Sequence, residues 1–354
     1  MDRLSPLQLA ALMLCARCFS MMTYFPYSGS NTLIFMVAVV ISTALQWLIL
    51  LPVTVLCTKH GKGICELASS NGRAAGIAVT SAFLLYFIWD IFVTTGTFAY
   101  FMDNYFSNQI SRVPALICAV GAAVYLSSTG IAPLGRCGGI FFCVFAFFTV
   151  IMLLSTMSQP DFANLHLAQR DIPKALAGDI SAELVRNREL VMLAFLLGGV
   201  KGSKRRAVLS YLGVKLVLLE LLLGFAALVL GSFAGETDMP FFYLSCLSNS
   251  SIIERYDAGF MSVWTVLGVV RLAAGMHCIG RCVQHLCGGR ARSFAVLAAQ
   301  LLPMCATFFL LTKRRWKELA YLRESPWLIV LAAAVVPLAA VSLKFRRRRK
   351  NENG

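Results

Sequence analysis

The chain has 354 residues, of which 58% are hydrophobic and only 14% charged, and its mean hydropathy is +0.73. A soluble domain carries roughly 25% charge, so the composition excludes cytosolic enzymes, secreted disulfide scaffolds and nucleic-acid-binding modules as main readings. The net charge of +15 does not reverse this: six of the 32 Lys and Arg residues (Lys344, Arg346, Arg347, Arg348, Arg349 and Lys350) lie in the last eleven positions, and others cluster in short loops. That is how cytoplasmic flanks of membrane helices are marked, and such a tail suits anionic lipid headgroups.

The apolar residues come in runs of membrane-spanning length, so the expected fold is an all-α polytopic membrane protein. Ten spans are placed at about 6–26, 32–57, 76–102, 112–129, 137–157, a short one at 189–200, then 207–233, 256–287, 293–312 and 326–343. They form one transmembrane domain over 1–343, followed by the basic tail 344–354. The first span has a single preceding basic residue, Arg3, and no small-residue cleavage site, so it is read as a retained helix.

The sixth span is the unusual one. Its clear apolar part, Glu189 to Val200, covers about 18 Å at 1.5 Å per residue, roughly half of a 30 Å hydrocarbon core. The preceding stretch, Lys174 to Arg188, is polar but helix-compatible. One reading is a discontinuous helix interrupted near Asn187, the way secondary transporters line a midplane cavity. The other is a surface loop feeding a short span.

Loop charges favour both termini in the cytoplasm. That side collects Lys59, Lys62, Arg73, Arg136, Lys201, Lys204, Arg205, Arg206, Arg281, Arg290, Arg292 and the tail. One loop, 313–325, dissents with five basic residues on the opposite side.

An ionisable residue near the bilayer centre is costly unless paired or hydrated, so each one is a candidate site. Arg17 lies in the middle of the first span, with Ser20 and Tyr24 on the same helical face. It is read either as a cation for a ligand carboxylate or as an ion-pair staple. Asp90 lies mid-span with Tyr86, Thr94 and Thr97 on its face, and a ligand amine, a coupling cation or Arg17 are its candidate partners. Arg271 shares a stripe with Asp257, Trp264, Gly268 and Gly275. Small and polar residues on one side imply a face turned to the bundle interior, and Glu189 or Glu220 are candidate partners for Arg271. Glu220 is a weaker site candidate; Lys215, five residues earlier, is expected to snorkel at the cytoplasmic end.

Two signals are discounted. His277, Cys278, Cys282, His285 and Cys287 match no common closed metal site, and no metal or cofactor is expected. Cys15 and Cys18 have redox-motif spacing but sit in an apolar run, where cysteine acts as a small apolar residue. No phosphate-binding loop, dinucleotide fingerprint or zinc-protease motif occurs, and nothing suggests a catalytic nucleophile–base set.

The stretch SSIIERYDAGFMSVWTVLGVVRLAAGMHCIG (250–280) resembles the B-subunit family of spore-germination nutrient receptors. The family's Ile-x-Arg-x-Asp-Ala entry and Trp-bearing helix are matched by Ile253, Arg255, Asp257, Ala258 and Trp264. Its loop after the second span is matched by Gly61, Lys62 and Glu66. Glu189 opens an apolar half-helix that ends in the basic loop KGSKRR, and the first span opens LSPLQLAAL, as in the family. The resemblance runs over essentially the whole chain.

What the resemblance implies is a divergent branch of the amino acid–polyamine–organocation transporters. The implied fold is LeuT-like, with ten spans in two inverted five-helix repeats (about 6–157 and 174–343) and helices 1 and 6 broken around a midplane site. Asn187, Arg188 and Glu189 then lie near the helix-6 break. The sequence departs from the family at helix 1, where Phe19 and Met21 stand in place of a Gly-x-Gly. Either Ser20 and Thr23 support a break there, or ligand is bound differently.

The resemblance further implies a ligand-sensing subunit that binds a small nutrient of the amino acid class. Arg17, Ser20, Tyr24, Asp90, Thr94, Asn187, Glu189 and Arg271 would stand at the site, and Glu220, Arg255, Asp257 and Trp264 would have structural or coupling roles. An A-type membrane subunit and a C-type lipoprotein are the implied partners, in the inner membrane of the spore. A secondary amino acid transporter coupled to H⁺ or Na⁺ is the alternative, and a ligand-free scaffold is a third reading.

Overall fold

The computed structural model describes residues 4–23, 25, 32–106, 112–157, 160–164, 171–248, 256–288 and 293–312. Tyr24, Arg255, the tenth span, the dissenting loop 313–325 and the basic tail lie outside these residues.

In hydrocarbon every backbone N–H and C=O must be satisfied within the segment, which selects helices. The described residues form α1 (Pro6–Thr23), α2 (Thr32–His60), α3 (Ile64–Ser69), α4 (Arg73–Phe106), α5 (Arg112–Ser128), α6 (Ile131–Thr156), α7 (Ile172–Arg186), α8 (Glu189–Leu196), α9 (Lys204–Leu230), α10 (Phe233–Glu236), α11 (Pro240–Leu247), α12 (Tyr256–Leu286) and α13 (Ser293–Thr312). Six of them are long and apolar enough to cross a membrane: α1, α2, α4, α6, α9 and α12. The molecule is thus a multi-pass integral membrane protein.

The expected spans two to five and seven to nine each coincide with a helix to within a few residues. Span six is two helices. The polar stretch forms α7, Asn187 leaves helical geometry at φ −92° and ψ 50°, and α8 begins at Glu189 and ends in a 3₁₀ turn, Leu197–Gly199. The expected break in helix 1 is absent between Pro6 and Thr23, where α1 runs unbroken through Phe19 and Met21. No glycine in this segment lowers the cost of unwinding, and the Ser20 and Thr23 hydroxyls donate back to Ala16 O (3.2 Å) and Phe19 O (2.6 Å) within the helix.

α1 and α12 form the enclosed centre. α1 packs on α6, α9 and α12, and α12 packs on α4, α5, α6 and α13. α6 by contrast exposes Ile140, Phe147, Val150 and Leu154, the apolar outer surface that lipid requires. Gly268 permits the close approach of α12. A Cβ there would lie 2.7 Å from the Phe19 ring and 2.8 Å from the Phe98 ring. Beside it the Trp264 indole stacks at 5.5 Å from Phe19 and 4.7 Å from Phe98, and donates from Nε1 to Thr23 Oγ1 at 2.8 Å.

The two ends of the bundle are tied separately. At one, Leu4 pairs with the chain after α8 (Leu4 N to Gly199 O 3.2 Å, Lys201 N to Leu4 O 2.8 Å). Gly198 meets Gly63 backbone to backbone, Lys204 Nζ donates to Cys57 O, and His285 Nε2 lies 2.9 Å from Ser69 Oγ. Segments whose basic residues assigned them to one membrane side therefore share one end. At the other end Phe25 N donates to Asp238 O at 2.7 Å, and Asp161 N to Leu228 O at 3.0 Å.

Candidate functional site

The α7–α8 break faces the centre of the bundle, and the intramembrane charges converge on it. Ending one helix and starting another leaves carbonyls and N–H groups without intrahelical partners, and side chains from neighbouring spans supply some of these. Arg17 Nη1 on α1 donates to Arg186 O (2.8 Å), and Tyr86 Oη on α4 donates to Arg188 O (3.0 Å). Glu189 opens α8, where the helix dipole favours a carboxylate.

Around these anchors lies a continuous polar network. Arg17 Nη2 holds Glu183 in a bidentate contact at 2.7 and 2.9 Å, and its Nε lies 3.8 Å from Glu189 Oε1. Glu183 also receives Asn187 Nδ2 at 2.8 Å and faces Lys215 Nζ at 3.7 Å. Lys215 Nζ donates in turn to Gln46 Oε1 (2.6 Å) on α2 and Asn187 Oδ1 (3.3 Å). Tyr211 Oη on α9 donates to Glu189 Oε1 at 2.9 Å.

On the other flank Arg271 Nη2 and Arg188 Nη1 both lie 3.2 Å from Asp90 Oδ1. Arg271 also donates from Nε to Thr94 Oγ1 (3.2 Å) and from Nη1 to Ala16 O (2.7 Å) and Ser20 Oγ, with Glu189 Oε2 at 3.6 Å. Glu189 is the joint between the two halves.

Four cations (Arg17, Arg188, Lys215 and Arg271) and three acids (Asp90, Glu183 and Glu189) make up this cluster, every side chain 7% exposed or less. Isolated, each charge would cost several kcal/mol, so they are retained by mutual pairing. The pairing is incomplete in hydrogen bonds. Asp90 Oδ2, Glu189 Oε2, Arg17 Nε and Arg188 Nη1 are buried and have no hydrogen-bond partner among the described residues, although three of the four lie within ion-pair distance of an opposite charge.

Of the residues singled out by sequence, Arg17, Ser20, Asp90, Thr94, Asn187, Glu189 and Arg271 come together here. Trp264 stands about two helical turns before Arg271 on α12, in the aromatic stack. Asp257 lies in the first turn of α12, and nothing of its side chain falls within the described residues. Glu220 is half-buried on α9 and stands apart, its Oε1 without a described hydrogen-bond partner.

Partner choices match expectation in part. Arg271 reaches Glu189, one of its two expected partners, and takes Asp90 as well, while Arg17 takes Glu183 rather than Asp90. Lys215 does not snorkel. It is fully buried, because α9 starts at Lys204 and carries Lys215 about 17 Å into the bundle. Glu183, Gln46 and Tyr211 are further members that the sequence reading did not single out. Two of the three were marked: Asp179 and Glu183 fall on one face of α7 at i and i+4, with Asn187 following at the same spacing just past its end, and Gln46 sits four residues after Ser42 in a largely apolar span; Tyr211 carried no such signal.

A cavity of about 470 Å³ lies near the Phe25–Asp238 end, lined by Tyr100, Phe233, Glu236, Thr237, Asp238, Met239 and Tyr243. It is separate from the ion-pair cluster.

A substrate-bound, outward-open structure of a Na⁺-coupled sialic acid symporter superposes with a TM-score of 0.64 over 95% of this chain and 78% of that one, at 9% identity. A manganese transporter from Eremococcus coleocola, solved as a mutant, gives a TM-score of 0.54 over 94% and 77% of the two chains, at 13% identity. At such identities the likeness is one of fold, and it is the LeuT-like transporter fold that the resemblance implied, with helix 6 interrupted as expected and helix 1, expected to be broken as well, continuous from Pro6 to Thr23. A search of curated proteins returned no match. The profile of a family described as spore germination protein matches residues 4–315, from the Leu4 anchor through α13 and so across every element of the charged cluster, and the chain therefore belongs to the spore germination protein family.

Proposed function

We propose that the chain is the ligand-sensing membrane subunit of a spore germinant receptor and that it binds a small zwitterionic nutrient, an amino acid, at the α7–α8 break. One observation carries the reading: two carboxylate oxygens (Asp90 Oδ2, Glu189 Oε2) and two guanidinium nitrogens (Arg17 Nε, Arg188 Nη1) lie buried around the break without hydrogen-bond partners among the described residues. An α-ammonium supplies donors for the first pair and an α-carboxylate acceptors for the second, and charge-assisted bonds of this kind are the strong ones. Ser20 and Thr94 accept from Arg271 and Asn187 accepts from Lys215 in the same cluster, and Arg271 braces Asp90 and Glu189.

The ion pairs fill the centre, so a ligand enters by displacing them and by moving α7 relative to α8. Binding then shifts the balance between two conformations by its differential affinity. Partner subunits, an A-type membrane protein and a C-type lipoprotein, read that shift in the inner spore membrane, with both termini of this chain cytoplasmic. The transmembrane domain over 1–343 acts as two inverted repeats hinged at helix 6.

A second reading is a secondary amino acid transporter coupled to H⁺ or Na⁺. It is favoured by the fold shared with a Na⁺-coupled symporter, and fold alone does not decide function.

The test is a panel of labelled amino acids offered to the purified chain, first for binding in nanodiscs and then for uptake into proteoliposomes with and without H⁺ and Na⁺ gradients. The receptor reading expects saturable binding, weakened tenfold or more in Asp90→Asn and in Arg188→Gln, and no accumulation. Gradient-driven accumulation lost in Asp90→Asn converts the protein to a symporter. Absence of binding by every member of the panel, with the protein folded and its partner subunits present, removes the site.

A further inference from the structure

Arg271 is surrounded by the kind of ligand set that ordinarily surrounds a metal cation. A helix carbonyl (Ala16 O, 2.7 Å), two hydroxyls (Ser20 Oγ and Thr94 Oγ1) and two carboxylates (Asp90 Oδ1 at 3.2 Å and Glu189 Oε2 at 3.6 Å) close around one guanidinium. These oxygens come from three elements, α1, α4 and α8, and the cation comes from a fourth, α12. Carbonyl, hydroxyl and carboxylate oxygens are the donors that hard cations such as Na⁺ and Ca²⁺ select. A guanidinium, planar and always charged, meets the same donors through its five N–H groups.

The backbone is shaped to deliver this group. Gly268 and Gly275 lie one turn to either side of Arg271. The first lets α12 close on the Phe19 and Phe98 rings, and at the second a Cβ would collide with the Ile91 side chain of α4. α12 thus sits near enough to α1 and α4 for a covalently attached cation to reach the centre of the oxygen shell.

We infer that Arg271 is a tethered cation occupying a monovalent-cation site between α1, α4, α8 and α12, and that this protein consequently has no requirement for Na⁺ at that position. The guanidinium holds α12 to α1 and α4 permanently, where a diffusible ion would do so only when bound. Truncating Arg271 leaves a space lined by the same oxygens, with Asp90 and Glu189 each deprived of a cation, and that space takes a small monovalent cation or a free guanidinium. The inference stands on the oxygen shell and is independent of which nutrient the protein binds.

The experiment is thermal unfolding of the full-length chain in nanodiscs without any amino acid, with NaCl, KCl and choline chloride exchanged at constant ionic strength and methylguanidinium added separately. Wild type is expected to unfold at the same temperature in all three chlorides. Arg271→Ala is expected to unfold at a lower temperature and to regain several degrees, saturably, with Na⁺ or methylguanidinium and not with choline, because an ion that binds only the folded state stabilises it by mass action. Arg271→Lys, which keeps a tethered charge, is expected to remain insensitive to the choice of salt.

Saturable stabilisation of the wild type by Na⁺ over choline overturns the inference outright, whatever the variants do. A folded Arg271→Ala that no cation restores also overturns it and leaves Arg271 as a staple. Should Arg271→Ala not fold, Arg271→Gln, which fills more of the space and removes the charge, takes its place with the same expected and overturning results.

Discussion

The Arg17–Glu183 pair makes an asymmetric prediction, because the two partners leave different residues behind. Removing Arg17 as Arg17→Met leaves Glu183 with Asn187 at 2.8 Å and Lys215 at 3.7 Å, and leaves the cluster with three cations facing three acids. Removing the acid as Glu183→Gln leaves four cations facing two acids, with Lys215 deprived of its nearest carboxylate and Arg17 reduced to Glu189 at 3.8 Å. Breaking a buried pair by deleting one partner costs about 3–5 kcal/mol. Arg17→Met therefore belongs near the lower figure, about 3 kcal/mol, and Glu183→Gln near the upper, about 5 kcal/mol. The double variant leaves three cations facing two acids, the same surplus of one cation as the wild type, and a coupling energy of about 3 kcal/mol makes it no less stable than Glu183→Gln alone. The assay is a double-mutant cycle by reversible unfolding in mixed micelles. Additive losses, or a single variant Arg17→Met that costs more than Glu183→Gln, refute the idea that charge balance at the helix-6 break governs stability.

Three smaller predictions concern the frame around the cluster. A Cβ on Gly198 would lie 2.6 Å from the backbone nitrogen of Gly63, so Gly198→Ala is expected to destabilise by about 1–3 kcal/mol and to speed alkylation of buried Cys65 at that end, read by maleimide labelling. Trp264→Phe keeps the stack with Phe19 and Phe98 but loses the 2.8 Å bond to Thr23; a loss of about 1 kcal/mol in chemical unfolding is expected, far below that of Trp264→Ala at about 3–5 kcal/mol. Glu220→Gln, at a half-buried position without an ion pair among the described residues, is expected to cost far less than Glu183→Gln in the same assay, because it breaks no buried pair.

The helices were legible because lipid demands long apolar runs, and such runs need no tertiary information to be seen. The break at Asn187 was half legible: ELVMLAFLLGGV is too short to cross, but the polar, helix-compatible stretch before it fitted a broken helix and a surface loop alike, and only the family resemblance favoured the break. Arg17, Asp90 and Arg271 announced themselves as charges in apolar runs, and Glu189 as the start of a short one, whereas Glu183, in the polar stretch before the break, did not. Apart from Arg271 and Glu189 the pairings were not legible, because pairing depends on how two helices are rotated and shifted relative to each other, and no single span encodes that. Asp90 and Arg17, the obvious opposite charges, each turn to a different helix. Lys215 was misplaced for a more local reason. Its depth depends on whether α9 starts at Lys204 or at Ala207, and Ser203, accepting from Arg206 N at 3.2 Å as an N-cap, sets the earlier start.

The unbroken α1 bears on how the site works. In a helix that unwinds, backbone groups become available to ligand. Here the backbone of α1 stays within its own hydrogen bonds, and side chains do that work instead. Arg17 reaches out of α1 to hold the last carbonyl of α7, while Arg271 reaches in from α12 to Ala16 O and Ser20 Oγ. α1 is thereby clamped by two guanidinium groups from opposite directions, one of them its own. Helix 6 then remains as the one interrupted element at the centre of the described bundle, and Arg17, Asp90, Arg188 and Glu189 around its break each keep an atom without a hydrogen-bond partner among the described residues. Motion induced by a ligand would therefore be concentrated between α7 and α8, with α1 moving as a rigid rod. Spin labels placed on α7 and α9 should change separation on binding, while a pair on the two ends of α1 should not. A change within α1 of the same size as that between α7 and α9 contradicts this division of labour.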